Sequence, residues 1–368
     1  MKVLILSSRA SSLVQFRTDM ICDIIARGHQ VIAAAPEPEI QWSGRLAKLG
    51  AGYRSINIDR TGLNPIDDIK GLFSLYKLIK KEKPQVIFSY QAKTVIYGSI
   101  AAWMGGVQNI NALLAGLGSA FRSTNANNTI IKKVLCLQYR FALSKCKNVF
   151  FQNHDDLNEF TKIGLVAKEK VTIINGSGVN LERFSPQPMP DNNVFLFVGR
   201  LIRDKGIMEY LEAAKKVKLK YPEAKIMVLG SFDTNPTAIE PEDLQPYVDN
   251  GFVEYLGETE DVRPFLKDCS VFVLPSYHEG TPKSVLEAMA TRRPIITTDA
   301  PGCRETVIDG VNGFLVPVKD VDGLVDKMVW MIEHRSDAEK MAEQSLRICK
   351  DKYDVRKVNA LLIKTMGL

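Results

Sequence analysis

Two cations and two carboxylates, set in short glycine-punctuated segments, are the residues of this sequence best suited to chemistry. Arg200 and Lys205 lie in Gly199-Arg-Leu-Ile-Arg-Asp-Lys-Gly206, directly after the apolar run Val194–Val198 and before a helical pattern. Two fixed cations beside a helix N-terminus suit a diphosphate. The plainer alternative is a salt-bridged turn in which Asp204 pairs with either cation. Glu279 and Glu287 have seven residues between them, around Gly280-Thr-Pro282. Here the spacing predicts a helix with Thr281 as N-cap and Pro282 as its first residue, followed by Val285, Leu286 and Met289 at helical spacing. Glu279 is then in the loop at the carboxyl end of a buried strand, Val271–Leu274, and Glu287 is on the next helix. Open α/β sheets bind ligands in that crevice.

The elements that must position these residues alternate along the chain. Val3–Ser8, Gln30–Pro36, Gln85–Tyr90, Asn109–Ala115 and Asn148–Gln152 read as strands with helical patterns between them. After the proline-rich stretch 185–193 the alternation restarts with Val194–Val198, Lys225–Leu229, Phe252–Leu256, Val271–Leu274 and Pro294–Thr298. Strand–helix alternation implies parallel, doubly wound sheets, here in two domains, which 368 residues accommodate comfortably. Six scattered cysteines form no CxxC pair and suit a reducing compartment. The start, MKVLILSS, has too few apolar residues for a signal-peptide core, and no stretch is long and apolar enough to span a bilayer.

Several chemistries find no motif. No P-loop is present, and Gly116-Leu-Gly118-Ser-Ala-Phe121 has Phe121 where a dinucleotide fingerprint needs glycine. Asp320-Val-Asp322 resembles a metal-binding DxD but precedes a helical pattern, where aspartate is an ordinary cap. The four histidines share no ligand spacing. Charge is uneven: residues 1–180 hold 23 Lys+Arg against 12 Asp+Glu, and the remainder 25 against 30. Within 69–147 there are twelve cations and one acid, Glu82. Such a split points to an anionic surface beside the first half, or to a merely solvated basic face.

Taken in order, Gly199-Arg200…Lys205-Gly206, Pro275-Ser-Tyr-His-Glu279-Gly280…Glu287-Ala288 and Gly310-Val-Asn-Gly313-Phe-Leu-Val resemble the donor domain of retaining GT-B glycosyltransferases of family 4. Asn175-Gly-Ser-Gly-Val-Asn-Leu-Glu-Arg-Phe184 resembles their approach to the linker. Arg60-Thr-Gly-Leu-Asn-Pro65, Tyr97-Gly98, Gly116-Leu-Gly118-Ser119 and Leu274-Pro-Ser-Tyr277 resemble bacterial enzymes that extend undecaprenyl-diphosphate-linked sugars, N-acetylgalactosaminyl transferases among them. The resemblance implies two Rossmann-like domains facing a cleft: an acceptor domain over 1–184, a nucleotide-sugar domain over 185–350, and a C-terminal helix, 351–368, crossing back to the first. It implies that Arg200 and Lys205 hold the donor diphosphate, Glu287 the ribose, and Glu279 the donor sugar, with Gly199, Gly280, Thr281 and Pro282 lining the same site. The donor it implies is a UDP-sugar, with no metal and no further cofactor. One carboxylate would then read each sugar of the nucleotide-sugar.

The first half departs from the common pattern of that family. Ser7-Ser-Arg-Ala-Ser-Ser12 replaces a glycine-rich loop, and Gly116-Leu-Gly118 stands where many relatives carry a histidine, so no general base is assigned. Arg9, Arg17 and Lys93, with Gly118, are the candidates for a lipid-diphosphate acceptor; solvated surface charge is the alternative for the three cations. His154 follows a strand, but Asp155 and Asp156 read as a helix start. Gly71–Lys81 and Ile130–Arg140 mix lysines with apolar residues as helices do on anionic lipid, which places the protein on the cytoplasmic face of a bacterial membrane. Nucleic acid is not expected as a partner: an adaptor of that kind leaves Glu279 and Glu287 without a task. A transferase with a soluble acceptor and a UDP-sugar 2-epimerase remain as alternatives.

Overall fold

The computed structural model describes residues 1–59, 64–114 and 126–368, with side chains from 131 onward in the last stretch. Its two units are Met1–Ser177 with Arg356–Leu368, and Gly178–Val355.

Seven parallel strands form the sheet of the first unit: β1 (Lys2–Leu6), β2 (Gln30–Ala35), β3 (Gly52–Ser55), β4 (Val86–Tyr90), β5 (Asn109–Leu114), β6 (Asn148–Phe151) and β7 (Val171–Ile173). Their order is β3-β2-β1-β4-β5-β6-β7. The helices are α1 (Ala10–Ala26), α2 (Glu39–Ala47), α3 (Pro65–Glu82), α4 (Ala92–Met104), α5 (Ala126–Lys145) and α6 (His154–Lys162). One face of the sheet packs against α3 to α6 through residues such as Leu75, Val95, Tyr139 and Phe160. On the other face Leu13, Met20 and Leu46 of α1 and α2 cover Val3, Ile5 and Phe88.

Six parallel strands make the second sheet: β8 (Val194–Val198), β9 (Lys225–Leu229), β10 (Glu254–Tyr255), β11 (Val271–Leu274), β12 (Ile295–Thr298) and β13 (Gly313–Val316), in the order β10-β9-β8-β11-β12-β13. Its helices are α7 (Ile207–Lys220), α8 (Pro241–Asp249), α9 (Arg263–Asp268), α10 (Lys283–Ala290), α11 (Val321–Glu333) and α12 (Arg335–Ile348). The central strands are nearly continuous apolar runs, as strands covered on both faces must be. Asp320 caps α11, its carboxylate accepting from the Gly323 amide at 2.9 Å, while Asp322 pairs with Lys216 at 2.5 Å.

Residues 178–184, expected with the first domain, pack in the second unit. Val179 exchanges backbone hydrogen bonds with Tyr353 and Val355 at 2.8 and 3.0 Å, and Phe184 is buried in the same core. The proline-rich stretch is also held there. Arg293 is fully buried and donates to the carbonyls of Gln187 and Pro188 at 3.0 Å each, and to Leu266 and Lys267. The terminal helix α13 (Val355–Met366) buries Leu362, Ile363 and Met366 in the core of the first unit. Asn109 and Asn148, at the starts of β5 and β6, donate to its last carbonyls at 2.7 and 3.0 Å. Among the described residues no helix is long and apolar enough to cross a membrane.

Candidate active site

β8 and β11 are neighbours in register, Val271 beside Phe195, yet the chain leaves them in opposite directions, to β9 on one side and β12 on the other. A crevice opens at the carboxyl ends where a sheet divides in this way. Gly199–Gly206 follows β8 and Pro275–Pro282 follows β11, so both motifs flank one switch point.

The two loops are joined backbone to backbone. The amide of Tyr277 and the Ser276 hydroxyl both donate to the Asp204 carbonyl, at 2.9 and 3.1 Å. Between them Arg203–Lys205 makes a single 3-10 turn, and Gly206 adopts φ +70° to start α7. A Cβ on Gly206 would lie 2.0 Å from the Pro275 carbonyl oxygen, so glycine is required by both conformation and space. Gly302 plays the same part across from Glu279: its φ is +79° and a Cβ would sit 2.1 Å from the Glu279 carbonyl. The Tyr277 hydroxyl donates to Glu209 on α7 at 2.7 Å, fastening the loop to the helix behind it.

On this frame the Lys205 ammonium donates to Glu279 Oε1, and both side chains are largely withdrawn from solvent. Arg200 donates to Asp233, beyond β9, at 2.9 Å, and remains partly open. The cations therefore engage Glu279 and Asp233. Asp233 was not picked out from the sequence, since nothing in its local pattern marks it. The Gly199 amide donates to the Leu229 carbonyl at 3.1 Å, where β8 and β9 end together.

Glu287 lies on α10, among the buried Leu286, Ala288 and Met289. The helix begins one residue later than the sequence predicts: Pro282 occupies the cap position and Lys283 is the first helical residue. Proline's fixed φ serves either position, and the extended ψ of Pro282, 112°, is what puts it at the cap and not in the first turn. The Glu287 carboxylate has no hydrogen-bond partner among the described residues. Burial pushes it up to about 7, against the opposing pull of Lys283 and Arg183, while Asp261 adds to the rise. With no protein donor on it, this half-buried carboxylate keeps its acceptor capacity open.

Residues 192–334 match the family described as glycosyl transferases group 1, and residues 2–153 the family described as glycosyl transferase 4-like. An Escherichia coli UDP-Gal:alpha-D-GlcNAc-diphosphoundecaprenol alpha-1,3-galactosyltransferase is 30% identical, over 72% of this chain and 70% of its own. The chain belongs to these glycosyltransferases. A Campylobacter jejuni N,N'-diacetylbacillosaminyl-diphospho-undecaprenol alpha-1,3-N-acetylgalactosaminyltransferase is 28% identical over 90% of each chain. The fold is shared with Anabaena HepE in complex with UDP-glucose, at a TM-score of 0.80 and 16% identity over 100% of this chain and 99% of that one. Both have the GT-B architecture of two doubly wound domains.

In the first unit of this glycosyltransferase the switch point falls between β1 and β4. Gln91, at the end of β4, has φ +76°, a strained position for a residue with a side chain. Its amide oxygen accepts from the Ser8 amide and hydroxyl, both at 2.7 Å, and from the Ser7 hydroxyl at 3.1 Å. This clamp was also missed, because positive φ at glutamine has no signature in residue type. Arg9 sits on the same loop, partly exposed, at the cap position of α1. Arg17 is not the surface charge considered as its alternative. It is 3% exposed, with its guanidinium 4.9 Å from the Tyr90 ring centre and 5.5 Å from that of Phe88, and burial lowers its pKa. Lys93 pairs with Asp68 at 2.6 Å, and the Tyr97 hydroxyl donates to the same carboxylate at 2.8 Å. The next residue, Gly98, lets α4 approach β1, for a Cβ there would meet Leu6 at 2.7 Å. His154 opens α6 behind an Asn153 cap. Gly118, most of the Arg60–Pro65 motif and Gly116-Leu-Gly118-Ser119 lie outside the described residues.

Proposed function

We propose that the protein is a retaining transferase moving an N-acetylhexosamine from a UDP-sugar to an undecaprenyl-diphosphate-linked saccharide during assembly of a bacterial surface polysaccharide. The observation that carries this reading is the locked Lys205–Glu279 pair across the β8–β11 switch point, with the uncommitted Glu287 on the helix that follows. Donor binding would bring a diphosphate oxygen to Lys205 and Arg200, a sugar hydroxyl to Glu279, and the ribose diol to Glu287. Gly199 and the backbone of Gly280–Pro282 would border the phosphates. The bond between the anomeric carbon and the β-phosphate oxygen breaks, its electron pair leaving with UDP. An acceptor hydroxyl oxygen then bonds that carbon on the face UDP vacates, and its proton departs with the diphosphate. The charge growing on UDP meets cations already in place, which is where preorganised electrostatics contribute most. Arg200 and Lys205 supply this stabilisation without a metal.

The acceptor class draws support from the two relatives whose names carry diphospho-undecaprenol or diphosphoundecaprenol. Arg9, Lys93 and Gly118 are proposed to meet its diphosphate, with Arg17 lending charge from beneath. The reaction would run at the cytoplasmic face of the cell membrane, with the protein peripheral to it. The test is a panel of UDP- and GDP-sugars against short lipid-diphosphate saccharides, with product configuration read by NMR. Transfer from a UDP-N-acetylhexosamine with retained configuration is expected. Conversion of the donor with no acceptor present would overturn the reading.

A further inference from the structure

We infer that the outer face of α3, α4 and α5 is a docking surface for an anionic lipid bilayer. A helix packed on a sheet buries one side and should turn polar residues outward. α3 buries Gly71, Leu75 and Ile79, yet Ile66, Ile69 and Phe73 on its opposite side are 51 to 63% exposed. On α5 the inward residues are Tyr139, Ala142 and Leu143, and the outward row is Val134, Leu137 and Phe141. Trp103, at the end of α4 between them, is half exposed and meets Phe141 edge-on at 5.7 Å.

Single exposed apolar residues need no explanation, but aligned rows on adjacent helices do. These three helices contribute half of the exposed large apolar residues among the described ones, whereas the second unit contributes Leu219, Ile308 and Val311. Charge selects the occupant. Lys77 and Lys80 continue the apolar row along α3, and Lys145 rests 4.4 Å from the Trp103 ring centre and 4.9 Å from that of Phe141. The lone acid of this region, Glu82, is buried against Lys2 and Arg54. At the N-terminal edge Asp67 and Asp68 are taken up by Lys70 and Lys93. Apolar and aromatic rows fringed by lysine fit the headgroup boundary of an anionic leaflet, with rings at the acyl edge and ammonium groups among phosphates. The choice of lipid over a protein partner rests also on the proposed lipid-linked acceptor.

The test is flotation of the full-length protein with phosphatidylglycerol–phosphatidylcholine vesicles and with phosphatidylcholine alone. Phe73→Glu and Leu137→Glu are the variants, and both positions are exposed, so the fold should persist. Binding to the anionic vesicles that weakens with salt, and falls about tenfold or more in the double variant, supports the proposal. Equal binding of wild type and variant, or wild-type self-association abolished by Leu137→Glu without vesicle binding, would overturn it. Turnover on a water-soluble, short-chain diphosphate acceptor is measured alongside. It should be unchanged in the variant, and its absence in the wild type would count against the proposed reaction and not against the docking face.

Discussion

Glu287→Gln separates the structural cost of the candidate ribose carboxylate from its use. The carboxyl has its ordinary value near 4.5 in the unfolded chain and about 7 in the folded protein. Between those values the folded state holds a proton that the unfolded chain has lost, so stability falls as pH rises through the window. The penalty is nearly absent below 4.5 and complete above 7. At 1.36 kcal/mol per tenfold change in proton affinity, it reaches about 3 kcal/mol at pH 8 and under about 1 at pH 5. Glutamine carries no charge at either pH. The variant should therefore gain about 2 kcal/mol on the wild type between pH 5 and pH 8, seen as a rise in the relative melting midpoint. Its donor affinity should move the other way. Replacing charge-assisted hydrogen bonds from a diol by neutral ones costs about 2 kcal/mol, or roughly thirtyfold in donor KM. Wild-type donor affinity should also weaken as pH falls through 7, and the variant's should not. A stability gap identical at pH 5 and pH 8 would refute the raised proton affinity of Glu287. An unchanged donor KM would refute its assignment to hydroxyls.

Arg200→Ala and Lys205→Ala should each lower turnover about a hundredfold with the fold retained, measured by UDP release and circular dichroism; near-normal turnover in either would remove it from the diphosphate site. Lys205→Ala also strips Glu279 of its cation, so Lys205→Ala with Glu279→Gln should lose less than the two single losses combined, read in a double-mutant cycle. Gly206→Ala should destabilise by about 2 kcal/mol or more, because the methyl meets the Pro275 carbonyl and the backbone is left-handed. Turnover should survive exhaustive chelation, and strict dependence on an added divalent ion would contradict assigning the leaving-group charge to Arg200 and Lys205.

The central strands were legible because both their faces are covered. Val194–Val198, Lys225–Leu229 and Val271–Leu274 stand in the structure as their apolar runs predict. The unexpected strands, β3, β7 and β13, are all sheet edges. An edge strand needs less apolar surface, and Gly52–Ser55 and Val171–Ile173 are half open to solvent, so their sequences give no buried-strand signal. The cations and carboxylates were legible as types but not as partners. Asp204 was the near neighbour in sequence, whereas Lys205 reaches Glu279 and Arg200 reaches Asp233, through strand order that spacing does not encode. The proton affinity of Glu287 was beyond reach for the same reason: it depends first on the burial that the surroundings of α10 impose, which the pull of Lys283 on the helix itself does not offset.

The two switch points share one strand order and are fastened differently. At β1–β4 the clamp is neutral, serine hydroxyls and an amide on the strained Gln91, with Arg17 beneath rings and Lys93 held by Asp68. At β8–β11 the clamp contains the charges themselves, since Lys205 and Glu279 bridge the two loops. A withdrawn ion pair seldom adds much stability, because desolvation offsets the attraction. Its effect here is to fix the position of an ammonium before any ligand arrives. A leaving diphosphate benefits from a cation that need not reorganise as charge develops, whereas an acceptor's diphosphate keeps its charge throughout and needs only to be held. On the proposed reaction, the fixed ion pair therefore belongs with the bond that breaks, and the neutral clamp with the substrate that is held.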